Sequence, residues 1–205
     1  GCKPVYLCLS TFIQRTYDQL SQDLAITNNP AVILIFYGSM GALNDVTHMG
    51  IFDIPLISNI PNIKYLTPTC KDEYLSMLDW AIDQKESPVI IRVPLNLASP
   101  EVAVEKDYAN VGYQVVNKGS KAALLAVGDF LELGREAVKA LAQKGIEATL
   151  INPRTVTEID EKTLDELKQN HSLVATLEDG VVSGGFGANP ARHYGTDPNT
   201  QVLCF

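Results

Sequence analysis

The chain has 205 residues, 46% of them hydrophobic and 20% charged, with a formal net charge of −8. That balance fits a folded globular protein of one or two domains, not a disordered or fibrous chain. An acidic surface repels phosphate backbones, so nucleic acid is not an expected partner; nor is a membrane, because the longest apolar runs fall far short of the ~20 residues that span a bilayer.

Residues 4–9 are continuously apolar, which predicts a parallel strand covered on both faces. From 11 to 26, Ile13, Tyr17, Leu20 and Leu24 recur three and four apart, the spacing of a helix face. Asn28-Asn29-Pro30 closes that helix, and a second strand follows over 31–36. Residues 38–53 form a long loop with three glycines and the first histidine, and loops of that length in compact domains tend to be functional. A short strand is expected at 64–66. The next helix is expected to be capped by Thr69 with Asp72 as its box partner, its apolar face made of Tyr74, Leu75, Leu78, Ala81 and Ile82. Residues 88–93 read as a buried strand, and 98–111 as an interdomain linker.

The second half repeats the alternation. Strands are expected at 122–127, 148–152, 173–177 and 202–204. Helices are expected at 129–143, closed by Gly145, and at 160–169, with Leu164 and Leu167 inward. A further helix is opened by Gly184-Gly185-Phe186-Gly187 and runs toward Tyr194. Strands alternating with helices give parallel sheets with right-handed crossovers. The expected architecture is therefore α/β: two consecutive α/β units with mainly parallel sheets, at 1–97 and 112–205. Cys2, Cys8, Cys70 and Cys204 are scattered, with no C-x-x-C and no zinc spacing. Cys8 and Cys204 read as buried free thiols, which points to a reducing, cytoplasmic setting. The chain lacks an initiator Met and both begins and ends in strand-like sequence, so it reads as a piece of a longer polypeptide.

In open parallel sheets, ligands sit beyond the carboxyl ends of strands. Phe12, Arg15 and His48 all fall there. Phe12 either belongs to the core or offers a flat face to a heteroaromatic ring, a contact worth about 0.5–1.5 kcal/mol beyond its area. Arg15 lies one helical turn away on the same face; it is either a surface arginine or a donor to a ring or anion. His48, with an ordinary pKa of about 6.5, suits proton transfer, though a loop histidine is often merely exposed. Asn44 and Asp45 precede it and are placed to hold polar substrate groups, and Tyr37 opens the same loop. His171 and His193 are assigned no chemistry. The Gly184–Gly187 run resembles an anion cradle at a helix N-terminus, but it is not G-x-G-x-x-G, so close backbone packing is expected. Glu178 and Asp179, adjacent on a strand, point to opposite faces and read as structural.

Several of these stretches carry a resemblance. In the first half they are Lys3-Pro4-Val5, Ser10-Thr11-Phe12-x-Gln14-Arg15-x-Tyr17-Asp18-Gln19, Asp23-x-Ala25, Thr47-His48-x-Gly50-x-Phe52-Asp53, Ile60-Pro61-Asn62 and Thr67-Pro68. In the second half they are Gly128, Asn152-Pro153-Arg154, Glu178 and the Gly184–Gly187 run. Together they resemble the transketolase-like, thiamine diphosphate-dependent enzymes, and within them the 1-deoxy-D-xylulose-5-phosphate synthases. The resemblance implies that 1–97 is the later part of a pyrimidine-binding domain and that 112–205 is a transketolase C-terminal domain, cut short. It implies that Phe12 stacks on the aminopyrimidine, that Arg15 lies beside the cofactor and that His48 transfers protons at the substrate. The implied reaction is decarboxylation of pyruvate, a 2-oxo acid donor, and two-carbon transfer to the aldehyde glyceraldehyde 3-phosphate, feeding isoprenoid and thiamine precursors. A homodimer is implied as well.

The departures from that family are specific. Its catalytic glutamate would precede Gly1, and its motif for diphosphate and Mg2+ belongs to a preceding domain, so this chain alone is expected to be inactive. Tyr37 and Leu95 stand where the synthases carry arginines that hold the acceptor's phosphate, and Leu9 replaces a tyrosine. Leucine makes no bidentate phosphate contact, so the acceptor is left open, with Arg92 or Lys64 as substitutes. A transketolase-like enzyme with another acceptor, or a non-catalytic α/β subunit that needs a partner chain, are the alternatives. A nicotinamide-binding protein is disfavoured by the missing glycine fingerprint.

Overall fold

The computed structural model describes residues 2–41, 45–93, 95 and 102–205. The first unit is a parallel sheet of β1 (Val5–Leu9), β2 (Val32–Phe36), β3 (Lys64–Leu66) and β4 (Val89–Arg92), in the order β1-β2-β4-β3. The second holds β5 (Gln114–Asn117), β6 (Lys121–Ala126), β7 (Ala148–Asn152), β8 (His171–Leu177) and β9 (Gln201–Cys204), in the order β5-β7-β6-β8-β9. All its pairs are parallel except β5 with β7. The two mainly parallel α/β units expected from the alternation are present. β5 was not foreseen, because its four residues, Gln-Val-Val-Asn, give too short a pattern to register.

Strands β2 and β4 are buried along nearly their whole length, as continuous apolar runs require. β1 departs from that expectation: it is an edge strand, and Val5, Tyr6 and Leu7 are exposed. The helix expected over 11–26 changes its winding. It begins as α1 (Ser10–Ile13), tightens to a 3-10 turn over Gln14–Thr16 and widens to a π-wound stretch over Gln19–Ile26. A 3-10 turn adds about 20° per residue over an α-helix. That rotates Tyr17 off the face of buried Ile13 and Leu20 and into solvent, where its hydroxyl donates to Asn59.

A helix that the sequence did not announce, α2 (Asp53–Ile57), closes the long loop. In α3 (Lys71–Asp83) the N-cap is Cys70, not Thr69. The Thr69 N–H and hydroxyl instead donate to Glu73 at 2.8 and 2.9 Å, so Glu73 and not Asp72 reaches back. The buried stripe of α3 is Glu73, Met77 and Ala81. Leu75 and Ile82, about 200° and 140° around the helix from Met77, are exposed. Beyond α3, Tyr108 is fully buried and packs edge-on against Trp80, ring centres 5.9 Å apart. Helices α4 (Phe130–Gln143), α5 (Glu161–Lys168) and α6 (Ala188–Tyr194) complete the second unit. All four cysteines are free; Cys204 is only half-buried, against expectation, because β9 is an edge strand. Among the described residues no helix is long and apolar enough to cross a membrane.

One hydrophobic cluster runs through both units, from Ile13, Ile54 and Tyr65 to Leu125, Ile151 and Phe186. Polar contacts close the seam. Leu66 bridges Thr155, Thr67 N–H donates to the Arg154 carbonyl at 2.8 Å, and Lys64 Nζ sits 2.6 Å from both Glu158 oxygens. Buried Glu73 also accepts from Asn152 at 3.1 Å and faces Arg154 at 3.5 Å.

Asp160 caps α5, accepting from Thr163 N–H at 3.0 Å and from the Thr163 hydroxyl at 2.7 Å, and it also accepts from Tyr113 N–H at 2.8 Å. Burial alone would raise its carboxyl, but these donors hold it below the ordinary 3.8. Asp160→Ala is expected to cost about 1–2 kcal/mol at pH 6. Because the folded value is depressed, this contribution is complete above the ordinary value and is lost as pH falls through the folded one. Urea unfolding at pH 6 and pH 3 should therefore show the gap between variant and parent shrinking in acid; a constant gap would contradict the assignment.

Candidate active site

Two loops at the carboxyl edge of the first sheet meet face to face. β1 ends in α1, which presents Phe12, and the 3-10 turn that follows presents Arg15, while β2 opens into the loop that carries His48. His48 sits on a 3-10 turn, Val46–His48, whose N-cap is Asp45. The Asp45 carboxylate accepts from Thr47 N–H at 2.9 Å and from the Thr47 hydroxyl at 2.8 Å. The Thr11 hydroxyl donates to the Thr47 carbonyl at 3.0 Å, stapling α1 to the turn. The Phe12 and His48 rings consequently stand edge to face, centres 5.4 Å apart and planes at 77°. The Arg15 guanidinium carbon lies 5.9 Å from the Phe12 centroid. Phe12 is 40% exposed, so it is not a core residue.

The imidazole is oriented. His48 Nδ1 lies 3.1 Å from Asp45 Oδ2 and 2.9 Å from the Thr47 hydroxyl oxygen. The one proton of that hydroxyl goes to Asp45, and a carboxylate only accepts, so Nδ1 carries a proton toward Asp45. Nε2 is left without a partner among the described residues, the nitrogen at which this ring could exchange a proton. The Thr47 N–H and hydroxyl, and then His48, hold the Asp45 carboxyl below its ordinary value, so Asp45 stays ionised through neutral pH.

Behind the loop lies a buried ionic group. Asp53 is fully buried, and Arg92 Nε donates to it at 2.8 Å and the Tyr65 hydroxyl at 2.5 Å. Burial alone would lower the Arg92 guanidinium, but the Asp53 carboxylate more than offsets this and the net shift is upward. Burial, followed by the charge of Asp53, raises Tyr65 well above the ordinary tyrosine range, so it remains a donor. Arg92 Nη2 also reaches the Gly50 carbonyl at 3.4 Å and the Asp179 carbonyl at 2.7 Å. There is no slack at Gly50: a Cβ would come within 2.0 Å of the Tyr37 carbonyl and 2.6 Å of Ser10 Cβ. Arg92 and Lys64, named above as substitute phosphate holders, are thus committed to Asp53 and Glu158. The sequence did carry one signal for the ionic group: Arg92 is the lone charge at the end of the apolar run Val-Ile-Ile.

Other candidates fall into place individually. Asn44 lies outside the described residues. Tyr37 opens the loop in the left-handed region, φ 56°, half-exposed. Leu95 is exposed, and its N–H donates to Asp129 at 2.7 Å. His171 is a core histidine, bonded to the Thr149 hydroxyl at 2.8 Å, and His193 meets Asp165 at 3.0 Å. The Gly184–Gly187 run does present N–H groups to an anion, and that anion is the chain's own. Glu178 accepts from Phe186 N–H at 2.7 Å and from Gly187 N–H at 2.9 Å. Among the described residues no group of three or more His, Cys, Asp or Glu side chains is placed to hold a metal ion.

Residues 1–100 match the family model described as transketolase, pyrimidine binding domain, and residues 112–198 match that of transketolase, C-terminal domain. The chain is 33% identical over 202 residues to a 1-deoxy-D-xylulose-5-phosphate synthase of Clostridium tetani, covering 98% of this chain and 32% of that protein. With one from Clostridium beijerinckii the figures are 36% over 193 residues, 92% and 30%. The chain therefore spans about a third of the length of these curated relatives. A solved structure described as "split gene transketolase, inactive beta4 tetramer" superposes with a TM-score of 0.86 at 22% identity, over 98% of this chain and 66% of that one. A transketolase from Pichia stipitis gives 0.73 at 18%, over 84% and 26%. At these identities the two structures speak to the fold.

Proposed function

Because the chain belongs to the transketolase family, whose pyrimidine-binding and C-terminal domains its two halves match, we propose that it is part of a thiamine diphosphate-dependent transferase of two-carbon units. The reaction that fits best is that of a 1-deoxy-D-xylulose-5-phosphate synthase: decarboxylation of pyruvate and transfer to glyceraldehyde 3-phosphate. The observation that carries the reading is the meeting of Phe12, Arg15 and His48 at one sheet edge. In this reading 1–97 serves as the pyrimidine-binding part and 112–205 as the C-terminal domain, in a cytoplasmic homodimer, with Mg2+ and the diphosphate held outside this chain.

The donor set fits the pyrimidine end of the cofactor. An exposed phenyl ring with a guanidinium 5.9 Å from its centre and an imidazole meeting it edge to face at 5.4 Å is a platform for a flat, hydrogen-bonding ring. When bound, thiamine diphosphate would supply an acidic carbon whose carbanion is a nucleophile toward a 2-oxo acid, and an electron sink for decarboxylation. Phe12 orients the ring by stacking, and Arg15 donates beside it. His48 Nε2, when it carries a proton, gives it to the carbonyl oxygen of the acceptor aldehyde as that oxygen becomes a hydroxyl, with Asp45 holding the ring through Nδ1. A different acceptor is the second reading. It is favoured by Tyr37, Leu95 and Leu9, and by the engagement of Arg92 and Lys64 elsewhere.

The test uses the complete protein. Calorimetric titration with thiamine diphosphate and Mg2+ is expected to give saturable heat, and CO2 release from pyruvate is expected to depend on an aldehyde. Comparing glyceraldehyde 3-phosphate with unphosphorylated glyceraldehyde separates the two readings. No heat at millimolar cofactor removes both.

A further inference from the structure

The loop that carries His48 is fastened to the second unit on both sides of the histidine. Before it, Met40 N–H donates to Asp179 Oδ1 at 3.0 Å. After it, the Gly50 carbonyl accepts from Arg92 Nη2, the same nitrogen that donates to the Asp179 carbonyl at 2.7 Å. Gly180 lies under Ile51; a Cβ there would stand 3.4 Å from the Ile51 carbonyl. The corner is itself held, since the neighbouring Glu178 takes the N–H groups of Phe186 and Gly187.

We infer that Asp179, on the second unit, is a positioning residue for His48, acting through Met40, Arg92 and Gly50 to set the imidazole against Phe12. The inference rests on the reading of His48 as the proton-transfer group. Gly50 is packed against the Tyr37 carbonyl and Ser10 with no free space, and its N–H donates at 3.1 Å to the carbonyl of Ser39, next to Met40, so a shift at either anchor reaches Gly50, two residues from His48. Asp179 touches neither ring; its effect is geometric. A misplacement of about 1 Å at a reacting group can cost about 10²-fold. Loss of one of the anchors should cost less.

Two variants of the complete protein separate positioning from mere support. Asp179→Ala removes the acceptor for Met40 N–H, whereas Asp179→Asn keeps an oxygen there. The alanine variant is expected to lower kcat for 2-oxo acid turnover about tenfold, with the donor KM within about twofold. The asparagine variant should restore most of the loss. In a His48→Ala background, Asp179→Ala should add nothing, because no imidazole remains to be placed. A readout independent of turnover is the histidine ring NMR spectrum, with the His48 signal assigned by its absence in His48→Ala. That signal should move in Asp179→Ala and stay in Asp179→Asn, while the His171 signal is unchanged in both. If the parent protein turns over no 2-oxo acid, the enzymatic reading fails and the spectrum still decides the positioning. An unmoved His48 signal in Asp179→Ala, additive losses with His48→Ala, or an asparagine variant as slow as the alanine one would overturn it.

Discussion

Asp53→Ala is expected to be the most destabilising single change near the site. It leaves Arg92, 7% exposed and already desolvated, without the carboxylate it pairs with, and deprives the Tyr65 hydroxyl of its acceptor. Breaking a buried pair by removing one partner costs about 3–5 kcal/mol, because the remaining charge has lost both water and its partner. For a chain of this size that corresponds to about 6–20 °C in Tm. Arg92→Met should cost a similar amount, since it strands the Asp53 carboxylate. The double variant Asp53→Leu/Arg92→Met should be milder than either single change, because no unpaired charge is left. Urea unfolding followed by the fluorescence of Trp80, the sole tryptophan, measures all three. Additive losses in the double variant would show that the pair is not the source of the effect.

His48→Ala in the complete protein is expected to reduce turnover by about 10²–10⁴ while leaving cofactor binding nearly intact, the range for loss of a general acid–base. The two rings meet at 77° and are not stacked, so truncation should leave the phenyl platform in place. Asp45→Ala should have a smaller effect, about tenfold or less, because water can replace a half-exposed carboxylate at Nδ1. The pH dependence carries a sign. The Asp45 carboxyl is depressed, so the carboxylate that accepts from Nδ1 is ionised throughout the neutral range and is lost only as pH falls through its folded value, below the ordinary 3.8. Unchanged turnover in His48→Ala would remove the histidine from the chemistry.

Much of this protein could be read along the chain. The apolar runs Val-Ile-Leu-Ile-Phe and Val-Ile-Ile become buried parallel strands because such runs have no polar face to show to water. Leu164 and Leu167 turn inward in α5, as their spacing requires. Errors gathered where two periods competed or where a neighbour decided the outcome. Tyr17 left the core because three residues of tighter winding rotated it, a change that spacing alone does not encode. Glu73 displaced Asp72 as the residue reaching back to Thr69 because the interdomain seam buries Glu73 beside Asn152 and Arg154.

The candidate site divides the same way. Phe12, Arg15 and His48 were selected by residue type and by position after strand ends, both of which are local properties. The approach of the Phe12 and His48 rings to 5.4 Å, the engagement of Nδ1 by Asp45, and the commitment of Arg92 to Asp53 were not local. Sequence fixes which groups are available and which segments must be buried, because hydrophobic period and chain stiffness act over a few residues. Only the packed structure decides which charges face each other, because residues 53, 92 and 179 become neighbours through the pairing of strands and the docking of two units.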